Sequence, residues 1–253
     1  MGPTRFYDDI AEYYDLIFVD WEESMKRQGA AISSMLEGPT PRGIGRQRIL
    51  DVAAGIGTQS LPLAARGHDV TSRDLSANAI ARLSREARAR GLQIDVAQAD
   101  MRRVAEMVKG HFDAVIAFDN SVPHLLSDEE IVATLGGIRE LLNPDGLLLL
   151  SVRDYDQVDR ASPSHHLYGE RGRSGRVFRL GQEWVWLDES HYRTTMVIEE
   201  RHGAAWDEVL RTDAVYYAVS VRHLLELMAV AGFSLARESG VQFYQPVLVG
   251  RAG

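Results

Sequence analysis

The chain has 253 residues, 45% of them hydrophobic, and a formal net charge of -8 from 28 basic and 36 acidic side chains. That is enough apolar material for one sizeable core, and an acidic balance argues against general binding to nucleic acid or to anionic membrane. With no cysteine, disulfides, thiolate catalysis and cysteine-ligated metal are excluded.

The N-terminal stretch, residues 1–18, is aromatic and acidic, with Phe6, Tyr7, Tyr13, Tyr14 and Phe18 among Asp8, Asp9, Glu12 and Asp15. It has no apolar signal core, and no apolar run approaches the ~20 residues a membrane span needs. A cytoplasmic protein with no membrane association is the expectation. Residues 21–36 read as an amphipathic helix, capped by Asp20. Residues 1–37 together suit a helical cover over a small ligand. Gly38–Gly45, with Pro39 and Pro41, reads as a loop.

The organising stretch runs from Ile49 to Asp74. A short apolar strand turns through Gly55 and Gly57, and a helix follows from about Thr58 to Arg66. Gly67 closes that helix, and a second strand ends on Asp74. Strand, glycine turn, helix, strand and acid make up a nucleotide-binding unit. The two glycines admit a ligand close to the backbone. Asp74 is placed to accept hydrogen bonds from ribose hydroxyls. The third glycine of a dinucleotide fingerprint is replaced by Ser60. Asp51, just before the turn, would repel a pyrophosphate and attract a cation. These features favour S-adenosylmethionine over NAD.

Ser76 caps a helix running to about Arg90. Strands are expected at 93–97, 112–118 and 147–152, with a helix at 127–142 and a turn at Asn143–Gly146. Alternating strand and helix predict a parallel sheet. The pattern then breaks. Residues 157–175 read as a polar loop, and its arginine-rich, glycine-rich end as a lid. Three antiparallel strands follow at 176–188, 191–202 and 205–218, then a helix at 221–231 and closing strands at 233–237 and 243–249. The expected fold is α/β, a Rossmann-like, doubly wound, mostly parallel sheet. It has a final antiparallel strand and a β-rich insertion near residues 154–218, all within a single domain.

Ligands of open α/β sheets bind beyond the carboxyl ends of the strands. That rule selects Asp51 to Gly57, Asp74 with Leu75, Asp100 with Met101, Asp119 to His124, and Arg153 to Tyr155. Asp100 can accept from an adenine amino group with Met101 on the ring, or is an exposed acid at a helix start. His124 is a base or an orienting residue. Arg153 can take an acceptor carboxylate in bidentate fashion, or it pairs with Asp154 or Asp156. His165, His166 and His191 do not have metal-ligand spacing, and no metal is expected.

The segment Leu50-Asp51-Val52-Ala53-Ala54-Gly55-Ile56-Gly57, with Asp74 and Asp100, resembles the class I S-adenosylmethionine-dependent methyltransferases. Residues 70–74, Asn120-Ser121-Val122-Pro123-His124-Leu125 and Arg153-Asp154-Tyr155-Asp156 look like the glycine and glycine/sarcosine N-methyltransferases. The resemblance implies that Asp51, Ala53, Gly55, Gly57 and nearby backbone cradle the methionine part of the cofactor. Asp74 and Leu75 would then take the ribose, and Asp100 and Met101 the adenine. Asn120 would lie near the sulfonium, with Tyr14, Trp21 and Arg27 in the covering segment. Arg27 would pair with the cofactor carboxylate. Arg153 would hold an acceptor carboxylate, and Tyr155 would line the methyl path. The stretch after Arg153 departs from those enzymes in length and content.

The function expected is N-methylation of a small amine or amino acid such as glycine or sarcosine, with S-adenosyl-L-methionine as cofactor. The alternatives are O-methylation of a metabolite hydroxyl with His124 as base, and a non-catalytic nucleotide-binding module or NAD-dependent oxidoreductase. The expected partner is a small-molecule acceptor, and homo-oligomerisation is left open.

Overall fold

Apolar runs become strands where both faces of a sheet are covered, and the run Phe112–Ala117 is buried almost throughout. It lies in the middle of the main sheet of the computed structural model, which describes residues 2–37, 45–160 and 163–253. The loop expected at Gly38–Gly45 falls almost wholly outside those residues.

In chain order the first elements are α1 (Pro3–Ile10), a 3-10 stretch (Ala11–Ile17), α2 (Trp21–Glu37), β1 (Arg48–Asp51) and α3 (Ser60–Ala65). Next come β2 (Asp69–Asp74), α4 (Ala77–Ala89), β3 (Asp95–Gln98), α5 (Val104–Met107), β4 (Phe112–Ala117), α6 (Asp128–Glu140) and β5 (Leu142–Ser151). Then follow β6 (Ser164–Arg173), β7 (Arg176–Trp186), β8 (His191–His202) and β9 (Ala205–Tyr217). The chain closes with α7 (Val221–Val230), β10 (Phe233–Glu238) and β11 (Val247–Ala252). The expected caps form: Glu23 N–H donates to Asp20 Oδ1 at 2.9 Å, and Ala79 N–H to Ser76 Oγ at 3.0 Å; Ser127 also caps α6, its Oγ accepting from the Glu130 N–H at 3.2 Å.

The seven-stranded sheet has the order β10-β11-β5-β4-β1-β2-β3. β1 to β5 are parallel, and β11 runs antiparallel to β5. The chain winds outward from β1 to β3, then returns to place β4 on the other side of β1. The gap beyond the ends of β1 and β4 is therefore the switch point where such sheets bind ligands. β5 starts earlier than expected, at Leu142. The turn residues Asn143–Gly146 form a bulge inside it, with Asp145 at φ 60°.

The insertion is a four-stranded antiparallel meander, β6-β7-β8-β9. Ser164–Arg173 is therefore a strand, not the polar loop or lid that its composition suggested. As an edge strand with most side chains in solvent it shows no apolar alternation. It is pinned to the N-terminal segment: Arg171 Nε donates to the Phe18 carbonyl at 3.0 Å, and Arg173 Nη1 to Asp15 Oδ1 at 3.2 Å. Phe6 and Ile10 of α1 share one core with Phe178, Trp184, Met196 and Tyr216 of the meander and with Val115 and Leu150 of the main sheet. The N-terminal segment thus lies between the two sheets. The last strand begins at Val247, later than the expected 243.

Candidate active site

β1 ends at Asp51, and the turn after it is held from below and from beside. Asp51 is 1% exposed. Its Oδ2 accepts from Ser60 Oγ at 2.7 Å, and Ser60 Oγ accepts from Ser72 Oγ at 2.7 Å. Ser60, in the place of a third glycine, is thus the cap of a buried carboxylate. Burial pushes that carboxyl up to about 7, against the lowering hydrogen bonds from Ser60 and the Ala53 N–H. Asp51 lies under the loop and lines no cavity.

The two glycines serve different ends. A Cβ on Gly55 (φ 51°) meets nothing within 4 Å, whereas one on Gly57 (φ 99°) would lie 2.4 Å from Leu83 Cδ1 and 2.9 Å from Leu61 Cδ1. Gly57 lets the turn pack tightly on α3 and α4, and Gly55 keeps the backbone open. The Gly55 N–H donates to Asp74 Oδ2 at 2.8 Å, and the Ser76 N–H to Asp74 Oδ1 at 2.8 Å. Each Asp74 oxygen therefore keeps a lone pair. Burial raises this carboxyl too.

Two cavities adjoin at the strand ends. The first, about 440 Å³, is walled by Ala53, Asp74, Leu75, Asp100, Met101 and Ser121, among others. The second, about 500 Å³, is walled by Asn120, Arg153, Tyr168, Gln182, Met196 and Tyr216, among others. Tyr7, Tyr14 and Asp119 belong to both. Each strand of the meander supplies one wall residue to the second cavity: Tyr168, Gln182, Met196 and Tyr216. Gln182 and Met196 are direct cross-strand partners.

The first cavity fits a nucleoside with a cationic tail. Apolar Met101, Leu125 and Leu75 offer ring faces, Asp74 offers two lone pairs to hydroxyls, and the buried Ser121 hydroxyl has no hydrogen-bond partner within the protein. The carboxylates around it disfavour phosphate. Asp100 is engaged by Arg102, whose Nε and Nη2 donate to it at 3.0 and 2.6 Å.

The second cavity is built around Arg153. Its backbone N–H donates to Asn120 Oδ1 at 2.9 Å, and its Nη1 donates to Tyr192 Oη at 3.0 Å. The guanidinium lies over Trp184, 4.4 Å from the ring centroid. Among the described residues no carboxylate is within ion-pair distance of it; neither Asp154 nor Asp156 pairs with it. Asn120 Nδ2 donates to Tyr155 Oη at 2.8 Å, and Tyr155 is 1% exposed. Tyr155 therefore holds Asn120 and Tyr192 from behind and does not line a cavity.

At the junction, Tyr7 Oη lies 2.9 Å from His124 Nε2 and 3.2 Å from Tyr216 Oη. Burial pulls the His124 imidazole down to about 4, although the Val215 backbone works in the other direction. The Nδ1 atom makes no hydrogen bond of good geometry. Asp119 and Asn120 both take left-handed backbone conformations, φ 58° and 63°, at about 1–2 kcal/mol for each non-glycine residue. Burial pushes the Asp119 carboxyl up to about 6, against a lowering hydrogen bond from Gln59.

Arg27 and Trp21, like Asp51, were expected at the cofactor and line neither cavity. Arg27 is exposed on α2. Trp21 Nε1 donates to Thr58 Oγ1 at 3.0 Å, and the ring lies beneath Arg82 and Arg90, so it braces the glycine turn from outside. The residues not singled out from sequence are Tyr7, Tyr168, Gln182, Met196 and Tyr216. Aromatic density before the nucleotide unit was a signal for Tyr7. The meander residues carried none.

A methyltransferase domain family matches residues 49–146. The chain is 32% identical over 175 residues to a glycine/sarcosine N-methyltransferase of Halorhodospira halochloris, covering 69% of this chain and 63% of that enzyme. Across four enzymes of that kind it spans 27% to 63% of their length. It is 31% identical over 190 residues to "Putative methyltransferase YqeM" of Bacillus subtilis (strain 168), covering 75% of this chain and 74% of that protein. The CcbJ methyltransferase of Streptomyces caelestis superposes over the full length of both chains, with a TM-score of 0.78 at 17% identity, a likeness of fold. A methyltransferase domain over the glycine turn and strand ends, a relative matched over most of its length, and a sheet wound for a nucleoside at its switch point agree. The chain belongs to the class I S-adenosylmethionine-dependent methyltransferases.

Proposed function

We propose that this protein N-methylates a small amine that also carries a carboxylate, in the manner of glycine or sarcosine, with the cofactor in the first cavity and the acceptor in the second. The observation that carries this reading is Arg153. A guanidinium stays charged under all ordinary conditions, and here it is half-buried among Trp184, Tyr192 and Tyr155, with no carboxylate within ion-pair distance among the described residues. A buried cation without a partner is costly, and an acceptor carboxylate would supply that partner through two parallel N–H···O bonds. The names of the relatives from Halorhodospira halochloris and Aphanothece halophytica support the same acceptor class.

S-adenosylmethionine, when bound, supplies an electrophilic methyl group on a sulfonium. Asp74 would hold the ribose through its two free lone pairs, and Met101 and Leu75 would pack on the adenine. Ser121, with its unused hydroxyl, would reach the same ligand. The chain's main contribution is alignment, since proximity and orientation alone lower barriers by up to ~7–11 kcal/mol. Arg153 fixes one end of the acceptor, and the shared wall of Tyr7, Tyr14 and Asp119 meets the other end where the cavities join. The test is a methyl-transfer screen over glycine, sarcosine, dimethylglycine and carboxylate-free amines. Turnover confined to carboxylated amines supports the reading, and turnover only on a larger metabolite hydroxyl overturns it.

A further inference from the structure

We propose that Asp119 is the catalytic base that receives the proton of the acceptor's ammonium group where the two cavities meet; this rests on the amine-acceptor reading above. An amino acid enters as a zwitterion, and its nitrogen has no lone pair until it loses a proton. The second cavity holds one fixed positive charge, Arg153, and two carboxylates, Asp154 and Asp119, of which Asp119 also faces the first cavity. Among the described residues no Lys, Arg or His lies within ion-pair distance of Asp119. The other site carboxylates are placed differently: Asp51 lies under the loop bonded to Ser60, Asp74 and Asp100 face the first cavity and not the second, and Asp154 faces the second and accepts from the Asp156 N–H. A zwitterion with its carboxylate on Arg153 therefore finds its opposite charge at Asp119.

The proton balance is simple. One N–H bond of the ammonium breaks, one O–H bond forms on Asp119, and the nitrogen keeps the electron pair for attack on the methyl carbon. The +1 and -1 of the pair both become zero, which suits an enclosed site. The other candidates are weaker. Burial raises Tyr7, Tyr14 and Tyr216 well above the usual phenol range, so none ionises near neutrality. His124 binds protons only near pH 4 and its Nε2 already meets Tyr7. The titratable groups around Asp119 are Tyr7 and Tyr14 of the N-terminal segment, Asp51 and Asp74 at the ends of β1 and β2, His124 after β4, Arg153 and Asp154 after β5, Tyr168 and Tyr216 of the meander, and Tyr244, whose hydroxyl donates to Asp119 Oδ1.

The experiment compares wild type with Asp119→Asn on glycine and sarcosine, and on aminooxyacetate, whose amine is neutral at assay pH. The variant is expected to lose about 100-fold in kcat on the amino acids but less than about threefold on aminooxyacetate, in the range of a removed general base. The rising limb of kcat/KM near pH 6 should vanish, and S-adenosylhomocysteine affinity by calorimetry should stay within about threefold. Asp119→Gly, which suits the left-handed backbone, is expected to match it and controls for folding. Equal losses on both acceptor types overturn the proposal. So does an intact pH limb, or a fall in S-adenosylhomocysteine affinity as large as the fall in activity. Wild type inert on both amino acids overturns the underlying reading and this one with it. Wild type active with Asp119→Asn unimpaired overturns Asp119 alone.

Discussion

Asn120 Oδ1 accepts the Arg153 backbone N–H at 2.9 Å, which ties the end of β4 to the end of β5 beside the second cavity. The amide's other end donates to Tyr155 at 2.8 Å. Asn120 therefore holds Arg153 by its backbone, while the Tyr155 ring lies beside its guanidinium.

That placement predicts how Arg153 variants divide. Arg153→Leu should raise the acceptor KM about 10–100-fold, the worth of a charge-assisted pair of ~1.5–3 kcal/mol. Arg153→Lys should fall between, since it keeps the charge and loses the planar fork. S-adenosylhomocysteine affinity, read by calorimetry, should be unchanged in both.

His124→Ala should lower kcat by less than about tenfold on an amine acceptor, because the imidazole contacts Tyr7 and Tyr216 and is a weak base. A loss on the order of 10²–10⁴-fold is the signature of a general base and would return hydroxyl methylation to first place. Steady-state kinetics on both acceptor types decide it.

The glycine turn predicts an ordering of stabilities. Gly55→Ala should cost about 1 kcal/mol, from the left-handed backbone alone. Gly57→Ala should cost about 3 kcal/mol or more, because its Cβ also collides with Leu83 and Leu61. Urea denaturation of the two variants measures the difference.

The signal for this turn lay in local spacing, as did those for Asp74 and for the caps at Asp20 and Ser76. Neighbours in sequence stayed neighbours in space. The acceptor wall is a different case. Tyr168, Gln182, Met196 and Tyr216 meet only once four strands are in register, and a one-residue slip would turn each of them to the other face. Ser164–Arg173 looked like a loop because an edge strand in solvent needs no apolar face. Arg27 was placed by analogy with a covering segment, yet its side of α2 faces water, while Tyr7 and Tyr14 line both cavities.

Asp51 predicts a pH dependence of stability. Its folded-state carboxyl titrates near 7, above the ordinary 3.8. Between those values the folded state binds a proton that the unfolded state has released, so stability falls as pH rises from about 4 to 7. Without cofactor, the Tm should drop over this window, and Asp51→Asn should flatten the drop by on the order of 2 kcal/mol. Differential scanning calorimetry at pH 5 and pH 8 checks the sign.

Tyr7, Tyr14 and Asp119 are walls of both cavities at once. Whatever loading one chamber does to these three side chains is transmitted to the other without any intervening path. Thermodynamic reciprocity then fixes the outcome: if the nucleoside changes the amino acid's dissociation constant by some factor, the amino acid changes the nucleoside's by the same factor. A partition one side chain thick, made of three residues, is where any such coupling between the two binding events would arise.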